Sequence, residues 1–419
     1  MIVKPTTKIF QDFDIQSFIT TSKLIEILEK RNEFKEKLLS VFNIEENVIK
    51  IIQIGNSKQL INAILEIDTK CHKIDINSKI KDIHLKKLLK EEKAEFEIVN
   101  ITDKYIFNHN KSDIFIGETA YSAKSDLLEY YNFSRFANYC RDNNFNDLID
   151  TIKKYLIDKN IENEETKKLR LIHKFEDNKY YIRALTSISG YKDFGLNFSV
   201  FVALVTLNNY RKKSNNGIYI DKFKIDDSYI YVSFALNNEI PIDDKISLSF
   251  NLILENDEIK QKSVSFNGVF KLKWEENDEK SELFLKPPGI KKDNKPNPVD
   301  LLTYQHRGEV QGVFDKIQEL PNLIDFFIRQ VSEDAKKISN ISHHDHVKKF
   351  IIDKIKDSRK PQINVYKPKI LKKLTSISVD NTFQLFELLR EVEDLFEHDD
   401  IISINFWRTN LYELLINKK

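Results

Sequence analysis

Glycine, proline and cysteine are all scarce in this chain. Nine glycines, nine prolines and two cysteines stand among 419 residues. So few glycines argue against a glycine-rich loop that cradles phosphate, and the motifs typical of nucleotide-binding loops, hydrolase nucleophiles and zinc proteases are missing. Cys71 and Cys140 do not form a C-x-x-C pair, which excludes a disulfide framework. We therefore expect two unpaired thiols, no recognisable catalytic motif and no cofactor.

Long apolar runs are also missing. The most apolar stretch covers residues 198–207, whereas a membrane helix needs about 20 apolar residues. Residues 1–16 lack the apolar centre of a signal peptide. We therefore expect a cytoplasmic protein that does not contact a membrane.

Aromatic and charged residues are plentiful. The chain has 29 Phe and 16 Tyr, and 41% of its residues are hydrophobic, which is enough to build a packed core. Its length predicts two or three domains. The 66 Lys and Arg residues almost balance the 65 Asp and Glu residues. Because the net charge is so small, the position of the charges along the chain matters more than their sum.

The spacing of apolar residues predicts an α+β fold. Residues 1–110 are predicted to form an N-terminal α/β region, with a helix over 20–42. Within residues 111–285, a helical unit at 119–157 precedes five segments with period-two alternation. Five strands so close together predict one antiparallel sheet, and the apolar helix at 196–213 should pack on it.

Proline content changes after the predicted sheet. Residues 286–300 hold four of the nine prolines, so they are predicted to be a linker or surface loop. Beyond them, helical periodicity predicts a C-terminal helical region over 301–419, with candidate helices over 310–338, 343–358 and 380–400 and a last one near 405–416.

Two groups of side chains have the chemistry of metal ligands. One is the consecutive set His343, His344, Asp345 and His346. The sequence favours a solvated helix start there, because a metal site needs three or four converging ligands. The other is Glu66, Asp68 and Lys70, which would suit a Mg²⁺-dependent nuclease if adjacent strands brought them together. A metal-dependent nuclease or hydrolase is therefore an alternative function, and no metal ligand is assigned.

The strongest charge asymmetry lies in residues 347–374. Ten Lys or Arg residues stand there against only Asp353 and Asp357. Clustered cations bind phosphates regardless of base sequence, and an aromatic ring beside them can stack on an unpaired base. The candidate nucleic-acid-binding residues are Lys348, Lys349, Arg359, Lys360, Tyr366, Lys367, Lys369, Lys372 and Lys373, together with Arg183.

Intramolecular pairing is the alternative for these cations. Residues 387–400 carry seven carboxylates in fourteen positions, and pairing with them would abolish nucleic-acid binding. Both interpretations remain open. For Arg183 the residues favour a buried or edge salt bridge over a phosphate contact.

Several short motifs occur in an order that resembles a known family. They are Arg183-Ala184-x-x-Ser187, Tyr191, Asn197, Asn256-x-Glu258 and the segment that begins at His306. On these motifs, residues from about 110 to 415 resemble a phage- and plasmid-borne family of unknown function. Asp257 and Lys260 depart from its pattern, which has Ser and Gly there. The resemblance implies a phage-related or mobile-element protein, and it marks Ser187, Tyr191, Asn197, Asn256, Glu258 and His306 as family-motif residues.

The basic segment and this resemblance together lead us to expect a non-enzymatic nucleic-acid-binding protein, with single-stranded DNA as the candidate ligand. Besides the metal-dependent hydrolase, the alternative is a component of a defence or replication complex. Such a component would bind a protein partner through the acidic C-terminal helix. A homo-oligomer is also left open.

Overall fold

The structure, a computed structural model, describes most of the chain. The described residues are 2–10, 14, 17–29, 34–90, 93–129, 134–160, 165–237, 239–259, 264–276, 279–287, 301–306, 309–396 and 401–416. Helices and mainly antiparallel sheets confirm the predicted α+β class. The predicted proline-rich linker or loop at 286–300 lies outside the described residues from position 288 onward.

The described part of residues 1–70 contains three helices and three short strands. They form β1 (Thr6–Ile9), β2 (Ile19–Thr20), α1 (Thr21–Glu29), α2 (Lys35–Val41), β3 (Ile51–Ile52) and α3 (Ser57–Lys70). The helix predicted over 20–42 corresponds to α1 and α2, and residues 30–33 are outside the described part. The apolar positions that gave this prediction, such as Leu24, Leu28 and Leu38, are fully buried.

Six strands form the small sheet. They are β4 (Cys71–Lys79), β5 (Ile83–Leu88), β6 (Ala94–Ile98), β7 (Phe115–Thr119), β8 (Thr166–Lys174) and β9 (Lys179–Ser187), paired in the order β4-β8-β9-β7-β6-β5. Only the pairing of β7 with β9 is parallel among these described strands. The strands on either side of residue 110 therefore belong to one sheet.

Four helices accompany the small sheet. They are α4 (Lys104–Asn110), α5 (Ala123–Glu129), α6 (Ser134–Asp142) and α7 (Asn146–Asn160). The last three confirm the helical unit predicted over 119–157. Apolar side chains of the sheet and these helices, including Ile106 and Leu128, form a core of their own.

The large sheet is antiparallel and follows the helix α8 (Leu196–Ser214). Its strands are β10 (Ile218–Ile225), β11 (Tyr229–Leu236), β12 (Ile240–Pro241), β13 (Ile246–Asp257), β14 (Val264–Glu276), β15 (Glu279–Leu285) and β16 (Leu302–Tyr304). The main order is β1-β10-β11-β13-β14-β15, with β12 beside β13 and β16 beside β14. As predicted, α8 packs on this sheet. Nearly every side chain from Leu196 to Tyr210 is buried, which explains why this part of the helix has no polar face.

One sequence-based expectation about the sheet was wrong. The five period-two segments were expected to form one sheet, but the first of them is β9, which lies in the small sheet. Alternation shows that one face of a strand is buried, yet it does not identify the neighbouring strand. The helix α8 separates β9 from the other four strands along the chain.

The C-terminal region is helical, as predicted. It comprises α9 (Val310–Ser339), α10 (His344–Asp357), α11 (Pro361–Asn364), α12 (Lys367–Ser376), α13 (Thr382–Glu393) and α14 (Ile401–Ile416). The sequence pattern does not predict α11 and α12. Their prolines, Pro361 and Pro368, lie in the first helical turn, where a missing N–H costs nothing.

A single large core joins the N-terminal helices, α8, the large sheet and the C-terminal helices. Gly268 on β14 lets α9 approach the sheet, because a Cβ there would lie 2.3 Å from Cζ of Phe327. In the ranges given above, no helix combines the length and apolarity needed to cross a membrane.

Candidate functional site

The basic segment forms the surface helices α10, α11 and α12. Lys349, Arg359, Lys360, Lys369 and Lys372 are exposed. In the part of the chain that the structure describes, no acidic side chain forms a salt bridge with any of the five. Lys369 and Lys372 are three residues apart on α12, so they share one side of that helix.

The other predicted cations are held by the protein itself. Lys348 donates a hydrogen bond to the Ile377 carbonyl. Lys367 donates to the Lys356 carbonyl and, at 3.0 Å, to that of Ser358. Lys373 pairs with Glu391 at 2.8 Å. Among the described residues, pairing between the candidate cations and the acidic run is therefore limited to Lys373.

Tyr366 is not placed to stack on a base. Its side chain is 6% exposed, and its ring packs against Phe396 with centroids 4.5 Å apart. The expected stacking role is incompatible with this burial. Alternation of basic and apolar residues in the segment reflects amphipathic helices, and Tyr366 belongs to their apolar side.

The acidic run makes its own internal contacts. Arg390 pairs with Glu387 and, at 3.1 Å, with Asp394. The hydrogen bond from Arg390 lowers the pKa of the Glu387 carboxyl. Glu393 on the same helix pairs with Arg408 at 2.5 Å. Residues 397–400 of the run lie outside the described residues.

The two groups with the chemistry of metal ligands are not brought together as metal sites among the described residues. His343 and His346 have ring centroids 5.8 Å apart, whereas Nε2 of His344 lies 2.9 Å from Oγ1 of Thr382. Glu66, Asp68 and Lys70 lie on the helix α3 and not on adjacent strands, and Lys70 pairs with Glu66 at 2.7 Å. Across the described residues, no group of three or more His, Cys, Asp and Glu side chains is arranged to hold a metal ion.

A group of six charged residues, of which Arg170, Arg183 and Glu258 are buried, lies between the small sheet and the large sheet. β4 contributes Lys73 and Asp75, β8 contributes Arg170 and β9 contributes Arg183. Asp193 precedes α8, and Glu258 follows β13. These six residues form the ionic cluster: Lys73, Asp75, Arg170, Arg183, Asp193 and Glu258.

Glu258 is the centre of the ionic cluster. Its Oε2 accepts hydrogen bonds from Lys73 at 2.8 Å and from Nη1 of Arg183 at 2.9 Å. Its Oε1 accepts from the backbone N–H of Leu196 at 2.8 Å, where the N-terminus of α8 favours a negative charge. Burial alone would raise the pKa of the Glu258 carboxyl, but Lys73, Arg183 and Arg170 hold it well below its usual value.

Gly195 leaves room for the contact between the Glu258 carboxylate and the N-terminus of α8. It is the N-cap of the helix, and a Cβ there would lie 2.8 Å from Oε1 of Glu258. The family-motif residue Asn197 is not the cap, because it lies inside the first turn and donates a hydrogen bond to the Ile27 carbonyl at 2.6 Å.

Arg170 connects the remaining members of the cluster. It is 2% exposed, and it donates to Asp193 at 2.9 Å, to Asp75 at 3.3 Å and to the Glu258 carbonyl at 2.7 Å. It also donates to the Tyr191 hydroxyl, and its guanidinium lies 4.7 Å from the centroid of that ring. Every nitrogen of the guanidinium therefore has a hydrogen-bond partner.

Three further motif residues surround the cluster. The Tyr191 hydroxyl donates to the Glu258 carbonyl at 2.9 Å. The ring of His306 stacks on Tyr191 at 5.4 Å, and its Nε2 lies 3.2 Å from Oδ1 of Asn256. Burial lowers the pKa of His306 to about 4, so this imidazole is neutral at physiological pH. Five motif residues thus converge here: Arg183, Tyr191, Asn256, Glu258 and His306.

Ser187 does not join them, since it is exposed at the end of β9. Arg183 is fully buried, which agrees with the salt bridge that the residues favoured over a phosphate contact. Its Nε and Nη2 have no hydrogen-bond partner among the described residues.

Sequence reasoning missed Arg170, Lys73, Asp75 and Asp193. Arg170 did carry a signal, because it interrupts the apolar run from Leu169 to Ile172, and a buried charge must be paired. Asp226 and Asp227 lie in the turn between β10 and β11. Asp227 also accepts hydrogen bonds from the Tyr121 hydroxyl and from the backbone of Val3.

The ionic cluster has the chemistry of a structural junction. Each carboxylate has a cation beside it, and the contacts reach from three strands of the small sheet to the large sheet and α8. Comparison of the chain with protein-family models, with curated proteins and with solved structures found no match.

Proposed function

We propose that this protein binds nucleic acid through α10, α11 and α12 and does so without catalysis. The observation that carries the proposal is the set of five exposed cations, Lys349, Arg359, Lys360, Lys369 and Lys372, none of which pairs with an acidic side chain in the described ranges. Unpaired Lys and Arg side chains on neighbouring helices attract phosphate and release its counterions.

The proposed contact is with the phosphate backbone. Because Tyr366 is buried, base stacking at that ring adds nothing to the affinity. Single-stranded and double-stranded DNA should therefore both bind, with no dependence on base sequence. The motif resemblance supports a phage, plasmid or related mobile element as the proposed setting. The proposed cytoplasmic location depends on the sequence of residues 1–16, which lacks the apolar centre of a signal peptide.

Charge counting gives the expected salt dependence. If all five cations each neutralise one phosphate, the slope of log Kobs against log salt is about −3.5 for single strands and about −4.5 for duplex DNA. When salt rises fourfold, affinity should therefore fall by about 130-fold for single strands and by about 500-fold for duplex DNA.

The test is a fluorescence-anisotropy titration with labelled single-stranded and duplex oligonucleotides at low and moderate salt. The variant Lys369→Glu/Lys372→Glu reverses two of the five charges, and about a tenfold or larger loss of affinity is expected. The matched control, Lys87→Glu/Lys90→Glu, reverses two exposed lysines at the end of β5 on the small sheet. Circular dichroism confirms that both variants fold.

Two results would sink the proposal. One is the absence of salt-dependent binding at micromolar wild-type protein. The other is an equal loss of affinity in both double variants, which would mean that net charge and not the surface of α10 to α12 determines binding.

A further inference from the structure

A pocket of about 400 Å³ lies where α8, α9 and the end of α2 meet. Its wall includes Phe42, Thr206, Lys212, Lys213, Ile317 and Pro321. This volume is within the range of about 300–1,000 Å³ that is typical of small-molecule sites. The pocket shares no residue with the ionic cluster or with the proposed nucleic-acid surface.

Thr206 places an unsatisfied polar group in this pocket. The residue is 2% exposed, and its Oγ1 has no hydrogen-bond partner among the described residues. A threonine in a helix commonly returns its hydroxyl to a backbone carbonyl one turn earlier, as Ser199 does to Gly195 at 3.0 Å on the same helix. Because a buried hydroxyl without a partner is unfavourable, Thr206 is a position at which a ligand would be stabilised.

Pro321 adds a second polar feature to the wall. It lies in the interior of α9, and proline has no N–H to donate to the carbonyl four residues earlier. That carbonyl belongs to Ile317, which also lines the pocket. The Ile317 carbonyl therefore lacks the backbone N–H donor that a regular helix would supply.

Charge and apolar surface complete the site. Lys212 and Lys213 are exposed in the last turn of α8, and within the described part of the chain neither forms a salt bridge. Val41 and Phe42, which are both partly exposed, supply apolar surface beside them. Two cations at the mouth, an apolar wall and a buried hydroxyl are complementary to an anion with an apolar body.

We propose that this pocket binds a small amphipathic anion, with its carboxylate or phosphate group on Lys212 and Lys213 and its apolar body against Val41 and Phe42. A hydroxyl or amide on that body, or an oxygen of the anionic group, satisfies Thr206. The proposal does not depend on nucleic-acid binding, since the residues involved are different.

The test uses the full chain and the fluorescent anion 1-anilinonaphthalene-8-sulfonate, competed with octanoate, octyl phosphate, octanol and octylamine. Saturable displacement by octanoate or octyl phosphate is expected, with octanol and octylamine weaker by about tenfold or more because they lack the anionic group. Whichever of the two anions displaces the dye more strongly identifies the preferred head group.

Two variants separate the parts of the site. Lys212→Gln/Lys213→Gln should weaken the anion by about tenfold or more, whereas Lys87→Gln/Lys90→Gln should leave its binding unchanged. Thr206→Val preserves the shape of the side chain and should weaken binding by about fivefold. Its melting temperature should not fall, because the hydroxyl that it removes has no partner in the protein.

Three outcomes would overturn the proposal. They are the absence of saturable binding of the dye, octanoate and octyl phosphate at millimolar concentration, displacement by octanol as strong as that by octanoate, and unchanged binding in both pocket variants. A lower melting temperature for Thr206→Val would show that the hydroxyl is already bonded within the protein, and this result also counts against the site.

Discussion

Replacing Glu258 with glutamine should strongly destabilise the junction between the two sheets. The ionic cluster contains three cations, Lys73, Arg170 and Arg183, and three carboxylates. Glu258→Gln keeps the size of the side chain but leaves one buried positive charge uncompensated. Its new NH₂ group must also face Lys73 and Arg183 or the Leu196 N–H, all of which are donors.

The structure sets the expected magnitude. Glu258 is 5% exposed, so solvent cannot replace the lost contacts. Removing one partner of a buried ion pair costs about 3–5 kcal/mol. Because Glu258 bonds two cations and the start of α8, the free energy of unfolding should fall by an amount in this range.

Urea denaturation followed by circular dichroism and tryptophan fluorescence measures the effect. Trp274 and Trp407 are both buried in the large core, so their emission reports on the large-sheet side of the junction. The control is Glu176→Gln, whose side chain is 81% exposed although it pairs with Lys174 at 3.0 Å. That change should stay within about 0.5 kcal/mol.

A loss of less than about 1 kcal/mol for Glu258→Gln would refute this reasoning. It would mean that water or a rearranged Lys73 and Arg183 satisfies the site as well as the carboxylate does. An equal loss in the control would refute it too, since burial would then not determine the cost.

Three further outcomes follow from buried residues. His306 has a pKa of about 4 in the folded protein and 6.5 when exposed, so the unfolded chain binds the proton first as pH falls. The free energy of unfolding should therefore decrease between about pH 6.5 and 4, by up to about 3 kcal/mol. Thermal melts of His306→Gln should show a weaker dependence on pH. Gly268→Ala should lower the free energy of unfolding by about 1–3 kcal/mol, because its Cβ would collide with Phe327. Gly312→Ala should raise it slightly in the same urea assay, because Gly312 lies in α9 with open space around it. Tyr366→Leu should lower the melting temperature yet leave nucleic-acid affinity unchanged in anisotropy titrations, and a clear loss of affinity would show that the ring does contact bases.

Local patterns of the sequence were sufficient for most elements. The run around Phe198 and Leu207 is apolar on every side, and it forms the buried helix α8. Helical spacing also predicted α9, α10 and α13. By contrast, Pro361 and Pro368 concealed α11 and α12, because a proline in a first turn resembles a helix breaker when only its presence is considered.

Long-range pairing was the part that the sequence could not supply. Arg183 and Glu258 were both singled out by motif, but only the fold shows that they form one ion pair with Lys73 beside them. Membership of β9 in the small sheet is equally non-local. Tyr366 was misplaced for another reason: its basic neighbours indicate a surface segment, while the orientation of its ring depends on Phe396 thirty residues later.

The salt dependence of DNA binding tests the central claim most directly. The slope of log Kobs against log salt should be measured for a labelled single strand with the wild-type protein and with Lys369→Gln/Lys372→Gln. Loss of two phosphate contacts should reduce the magnitude of the slope by about 1.4. An unchanged slope would contradict binding through α10 to α12, even if the wild-type protein binds DNA.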